Sequence, residues 1–254
     1  MTIIGIIPAR MAASRFPGKP LALLCGRPML EHVYWRTTRA RCLARVYIAT
    51  PDREIHEAAS HFDAPVIMTS TAHKRAVDRV AEAARGLQAD IVINIQGDEP
   101  LIHPASLDLL GDAMTAHSAI ACANLVNPIS RDEDFRNPNQ IKVVCDGQGD
   151  VLYMSRQPIP SAPKPDARLR QMGLIGFRRD FLATFAALPP TPLEVAESID
   201  ILRALEHGFK VRAVFSPYES FGVDTVEDLR AAETRLAGDP LTAALLRAPE
   251  VKKG

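Results

Sequence analysis

The sequence predicts an α/β domain built on a mostly parallel sheet, and three observations lead there. Short β-branched apolar runs recur through the first half, at residues 3–7, 46–50, 65–68 and 91–95. Runs of this kind, apolar on both faces, suit strands covered on each side by helices. Between them lie stretches of helical length and spacing at residues 28–40, 52–62 and 76–86. Such alternation is the pattern of a parallel sheet with both faces packed. The chain has 254 residues, which allows one large domain or two modest ones, and is 47% hydrophobic, enough for a real core.

Each element has a local reason. Ile3-Ile4-Gly5-Ile6-Ile7 is a buried strand that stops at Pro8. A loop of small residues follows (Ala9, Ala12, Ala13, Ser14, Gly18) that carries three cations, Arg10, Arg15 and Lys19. Pro28 suits a first helical turn, with Met29, Val33 and Trp35 on the packed side. Asp52 stands where it would cap the next helix. The run at 91–95 is the most uniformly apolar and is expected at the centre of the sheet.

A further strand is expected at 120–126, and from Arg131 the texture changes. Asn137-Pro138-Asn139 reads as a turn, and 140–145 and 151–154 as two strands joined by Asp146-Gly147-Gln148-Gly149. Residues 158–165 form a proline-rich extended arm. A strand at 172–177, helices at 179–188 and 193–207, and a strand at 211–215 follow. Thr225 and Asp228 are spaced as a near capping box for a helix through Leu236. The expected organisation is a single domain over residues 1–236, with about 131–178 inserted into it and 237–254 as a weakly patterned tail.

Composition excludes several functions. Lys+Arg and Asp+Glu each total 30, so the net charge is zero, against a general binder of nucleic acid or membrane surfaces. No apolar run reaches the roughly 18 residues that span a bilayer. No cationic region precedes the N-terminal apolar run, so no secretion signal is expected. Cys25, Cys42, Cys122 and Cys145 are widely spaced and read as reduced thiols of a cytoplasmic protein.

The chemistry is carried by one basic loop and two acidic sites. Ligands of open α/β sheets bind beyond the carboxyl ends of strands. Arg10, Arg15 and Lys19 at such an end suit a polyanion such as a triphosphate, or are simply a solvated basic loop. Gln96-Gly97-Asp98-Glu99-Pro100 follows another strand, and Asp224 precedes the last clear helix. Two carboxylates beside three cations suggest an Mg²⁺–phosphate assembly. On spacing alone, Asp98 and Asp224 are equally ordinary turn or cap residues. His32, His56, His61, His103, His117 and His207 have no metal-ligand spacing and read as surface or helix residues, and Trp35 reads as packing.

These residues resemble a family. Ile6-Ile7-Pro8-Ala9-Arg10 with Arg15-x-Pro17-Gly18-Lys19-Pro20-Leu21, Gly26-Arg27-Pro28-Met29, Gln96-Gly97-Asp98-Glu99-Pro100, Asn137-Pro138-Asn139 with Lys142-Val143-Val144, Tyr153-x-Ser155-Arg156-x-x-Ile159-Pro160, Pro192-Leu193-Glu194 and Gly222-Val223-Asp224-Thr225 occur in order. Together they are similar to the 3-deoxy-manno-octulosonate (Kdo) cytidylyltransferases, or CMP-Kdo synthetases. The resemblance implies a Rossmann-like nucleotide-diphospho-sugar transferase fold, usually a homodimer. It implies that CTP and a 2-keto-3-deoxy sugar acid give a CMP-sugar and pyrophosphate, with Mg²⁺ as cofactor. Lys19, Arg15 and Asp98 match catalytic positions. Ala9, Arg10, Arg15, Lys19, His73, Arg79 and Gln96 match nucleotide-binding positions. Asp98 and Asp224 match metal-binding positions. Arg156, Gln171, Ile175 and Glu194 fall on the sugar side, and the 131–178 insertion would serve that side and dimerisation.

The chain also departs from the pattern. Where the family has His-x-Ser-Gly-Thr-x-Arg, this chain has His73-Lys74-Arg75-Ala76-Val77-Asp78-Arg79. His-x-Gly-x-Tyr of the sugar site reads Gln171-Met172-Gly173-Leu174-Ile175, and a Gln of the later helix falls at Ile201. An unpaired ligand hydroxyl costs about 1–3 kcal/mol, so these changes predict either Kdo bound differently or a Kdo-like acid with fewer hydroxyls or a different tail. Arg75 would meet an extra anionic group there, or stand solvated at a helix start. Two rival readings are a nucleotidyltransferase for another acceptor, such as a phosphonate, and a catalytically idle nucleotide-binding relative.

Overall fold

The N-terminal apolar run is a strand because its β-branched side chains pack on both faces of a sheet. In the computed structural model, which describes residues 1–12, 16–161 and 167–247, it is β1 (Ile3–Pro8). After a single 3-10 turn (Lys19–Leu21) come the short pair β2 (Leu23–Leu24) and β3 (Arg27–Pro28), then α1 (Met29–Thr37). The alternation continues through β4 (Arg45–Thr50), α2 (Arg53–Ser60), β5 (Val66–Met68), α3 (Ala76–Ala84) and β6 (Ile91–Ile95). Next are α4 (Pro104–Ala116), β7 (Cys122–Pro128), α5 (Asp132–Arg136), β8 (Lys142–Cys145), β9 (Val151–Ser155) and β10 (Leu169–Arg178). The described chain finishes with α6 (Arg179–Ala187), α7 (Pro192–Glu197), α8 (Leu202–Glu206), β11 (Arg212–Phe215), α9 (Val226–Ala237) and α10 (Pro240–Arg247).

The main sheet runs β11-β7-β10-β6-β1-β4-β5. β1 is parallel to both β4 and β6, β4 to β5, and β11 to β7. Only β10 on this path is antiparallel to its neighbours, β6 and β7. β6 lies in the middle with all five residues buried, as its uniform apolarity predicts. The chain moves outward from β1 to β4 and β5, then returns to β6 on the other side of β1. That reversal opens a crevice beyond the carboxyl ends of β1 and β6, where α/β sheets bind ligands. The alternation of side chains along β1 divides the core, with Ile4 and Ile6 in one cluster and Ile3 and Ile7 in the other.

Several expectations need correction. Helix α4 was not anticipated; its buried Leu107, Leu110 and Met114 sit in a stretch apolar enough to blur the helical period. The helix expected over 193–207 is broken into α7 and α8, because Ser198 is left-handed at φ 55°. Asp52 does not cap α2 with its side chain; Oδ2 instead accepts from the Met11 N–H at 2.7 Å and ties down the basic loop. Within 131–178, β10 is an interior strand of the main sheet and β8 pairs with it. The tail contains α10, which packs on α1 through Arg36, whose guanidinium pairs with Asp239 and donates to Thr242 Oγ1 at 2.8 Å. Arg15 and residues 162–165 of the proline-rich arm lie outside the described residues. No helix among those described is long and apolar enough to cross a membrane.

Candidate active site

The site is assembled from three loops. Gly18 adopts the left-handed conformation (φ 74°) that turns the chain into the Lys19–Leu21 turn, and its N–H donates to Met11 O at 3.0 Å. The turn aims the Lys19 side chain under the end of β6. Its Nζ lies 2.7 Å from Asp98 Oδ2, 3.4 Å from Asp224 Oδ1 and 2.8 Å from Val223 O. The N-cap of α9 is Thr225, not Asp224. Capping of α9 falls to Thr225 and Asp228, whose side chains each accept from the other's backbone N–H. The two acidic loops are also joined directly, by the Val223 N–H donating to Asp98 O at 2.9 Å.

Above this ion cluster lies a cavity of about 300 Å³. Ala9, Arg10, Lys19, His73, Arg79, Gln96, Asp98 and Asp224 all line it, together with Lys74 and Arg75. The Ala9 N–H continues the sheet to Ala49 O at 2.9 Å, and the Gln96 N–H bonds Gly173 O at 3.0 Å. Arg79 is almost fully buried and donates to Thr69 Oγ1 at 2.5 Å and Ser70 O at 3.1 Å. Burial, and then the nearby Arg10, pull its pKa below the usual guanidinium range. His73 pairs with Glu82; the Ser70 N–H, aided by His73, holds that carboxyl below its ordinary value although burial opposes them. Cations thus crowd one wall and two carboxylates stand at the floor, which is the charge pattern for a metal-chelated polyphosphate.

The acceptor-side residues are placed differently. Arg156 turns its guanidinium to backbone, with Nε 2.8 Å from Glu197 O and Nη1 3.0 Å from Pro138 O. Gln171 donates to Asn124 Oδ1 at 2.6 Å. Ile175, put on the sugar side by the sequence, is a core residue here, as is Ile201. Glu194 is fully buried and its carboxylate is taken up within the protein, by Arg203 at 2.6 and 2.9 Å and by the Thr191 N–H at 3.2 Å. Arg75 borders the cavity but is held by internal carboxylates, its Nε 3.1 Å from Glu194 Oε1 and Asp200 a second partner. Glu99, which the sequence reading places in the Gln96–Pro100 motif without a role, bridges Gly173 and Ser220.

Fold and site define a nucleotide-using transferase, and comparison with known proteins sharpens the class. Residues 4–213 match the family described as "Cytidylyltransferase". The chain is 45% identical to a 3-deoxy-manno-octulosonate cytidylyltransferase of Geobacter metallireducens, over 93% of this chain and 98% of the relative. It is also 45% identical to one of Syntrophobacter fumaroxidans, over 96% of this chain and all of that one. A solved CMP:2-keto-3-deoxy-manno-octonic acid synthetase complexed with CTP superposes with a TM-score of 0.88 at 35% identity, covering 93% of this chain and 99% of that one. The chain is a nucleotidyltransferase, and it belongs to the 3-deoxy-manno-octulosonate cytidylyltransferase family.

Proposed function

We propose that this protein transfers the cytidylyl group of CTP to Kdo, giving CMP-Kdo and pyrophosphate. The observation that carries the reading is the meeting of Lys19 with both Asp98 and Asp224 at the floor of the cationic cavity. The acceptor's anomeric hydroxyl oxygen attacks the α-phosphorus, the bond to the β,γ-diphosphate breaks, and pyrophosphate leaves with the electron pair. Such transfers depend mainly on alignment and on neutralising charge. Lys19 and Arg10 hold the charge that grows on the leaving diphosphate, with Arg15 assigned the same task by resemblance. His73, Arg79, Gln96 and Ala9, which line the cavity, seat the nucleotide, and orienting the acceptor acid is assigned to Arg156 and Gln171 by resemblance.

Asp98 and Asp224 fit Mg²⁺: they are hard oxygen donors, both reached by one ammonium, and Mg²⁺ sites commonly combine one or two carboxylates with substrate phosphates. When bound, the ion supplies charge neutralisation at the phosphate oxygens. The altered positions argue less for a changed acceptor than their residue types suggested. Ile175 and Ile201 fill core space, and Arg75 is held by internal carboxylates.

The test is pyrophosphate release with CTP and Kdo in the presence of Mg²⁺, with UTP, ATP and GTP as alternatives and shortened sugar acids and phosphonates as rival acceptors. Turnover is expected with CTP and Kdo. Fast turnover of a phosphonate with none of Kdo would overturn the reading. We also propose a homodimer in the cytoplasm. Support comes from Leu152 and Val195, more than 60% exposed on β9 and α7, and from four free cysteines. Equilibrium sedimentation at the mass of one chain would reject the dimer.

A further inference from the structure

Strand β10 carries an irregularity beside the cavity. Its pairing with β7 shifts between Gln171 and Ile175, so three residues of β10 face a single residue of β7. The polar groups freed by this bulge are taken up by side chains. Asn124 Nδ2 donates to Met172 O at 3.0 Å and Leu174 O at 2.9 Å. The Gly173 N–H donates to Glu99 Oε1 at 2.8 Å. The other oxygen of Glu99 accepts from Ser220 Oγ at 2.5 Å.

Ser220 belongs to the loop that delivers Asp224. The first part of that loop is pinned to the sheet by Asn127 Nδ2, 2.8 Å from Ser216 O, and by Arg170 Nη2, 3.2 Å from Ser220 O. Glu99 follows Asp98 directly and does not line the cavity. One carboxylate therefore joins the rigid bulge, the loop of Asp98 and the loop of Asp224. We propose that Glu99 is a positioning residue for the reaction: by clamping Ser220 and Gly173 it fixes the separation of Asp98 and Asp224, and so the affinity of the nucleotide-loaded site for a divalent cation. The inference rests on the reading of Asp98 and Asp224 as the metal-holding pair.

The test separates the two. Mg²⁺ is titrated calorimetrically into the full-length protein saturated with CTP, and CTP is titrated without metal, for the wild type, Glu99→Ala, Glu99→Gln and Ser220→Ala. Groups that orient metal ligands affect metal affinity by about 10- to 100-fold, and a loss in that range is expected for Glu99→Ala, with metal-free CTP binding unchanged. Glu99→Gln keeps an acceptor for Gly173 and regains part of the loss. Ser220→Ala lies outside the cavity, is expected to fold with a modestly lowered melting temperature because Glu99 loses one donor, and weakens Mg²⁺ in the same direction; it carries the test if Glu99→Ala fails to fold. In turnover, kcat falls while the KM for CTP holds. Wild-type Mg²⁺ affinity in both Glu99→Ala and Ser220→Ala would overturn the inference while leaving the reading of the site intact. Absence of Mg²⁺ binding in the wild type would overturn that reading, and the inference with it.

Discussion

Lys19 Nζ lies 2.7 Å from Oδ2 of Asp98, a residue 79 positions later in the chain. The lysine side chain is 14% exposed and the aspartate 32%, so the pair is only partly screened by water. The same ammonium reaches Asp224 from a third loop. Three segments distant in sequence are therefore brought to one charged point beyond the sheet, and the chemistry follows from that convergence.

Replacing Lys19 by Met should remove the ammonium while keeping much of the side chain's length. Loss of one preorganised charge-stabilising donor costs about 10²–10³ in kcat, and a fall in that range is expected. Single-turnover pyrophosphate release measures it. A small effect on kcat with a large rise in the KM for CTP would assign Lys19 to ground-state binding instead.

Gly173→Ala should harm both stability and turnover. A Cβ at this position would sit 2.3 Å from Glu99 Oε1 and 2.5 Å from Gln96 Cγ, on two sides of the active-site loop. Overpacking of this kind costs about 1–3 kcal/mol. Urea denaturation should show the loss, and kcat should fall with it because the loop of Asp98 must shift.

Arg75→Ala should destabilise the fold by about 1–3 kcal/mol at neutral pH, since it takes the ion-pair partner from Asp200, while Glu194 keeps Arg203. The dependence on pH has a definite sign. Burial raises the Asp200 pKa, and Arg75 opposes that rise. A carboxylate with a raised folded pKa favours folding while protonated, and that advantage is lost as pH climbs through the folded value. Without Arg75 the pKa rises further and the ionised form costs more. The gap between variant and wild type should therefore be widest at neutral pH and shrink toward about pH 4. Denaturation midpoints across that range check it; a gap that widens on acidification would reject the account.

Arg36→Ala should loosen α10 from the domain. Arg36 is buried, pairs with Asp239 and donates to Thr242 Oγ1. Breaking a buried charged pair by removing one partner costs about 3–5 kcal/mol, and partial exposure of Asp239 sets the expectation at the lower end. Hydrogen exchange should show earlier loss of protection in α10 than in β6.

Much of the fold was readable because its signals are local. The β-branched runs of β1, β4 and β6 and the Thr225–Asp228 capping box each express themselves within a few residues. The helix α4 escaped because a stretch apolar on several sides loses its period. The break at Ser198 escaped because a left-handed residue there is stabilised by what surrounds it, not by its type.

The site divides in the same way. Residue types and motif order pick out cations on a small-residue loop and aspartates after strands, and Arg10, Lys19, Asp98 and Asp224 come together at one cavity. On the acceptor side several side chains turn inward, which residue type does not foretell. Glu194 has the residue type of a ligand contact, yet its oxygens are held by Arg203 and Arg75. Local sequence determined the strands, the caps and the inventory of charges. Only the tertiary structure decided which charges meet, because the order of strands brings together groups 79 and 205 residues apart, and no pattern within a short window records a contact across that distance.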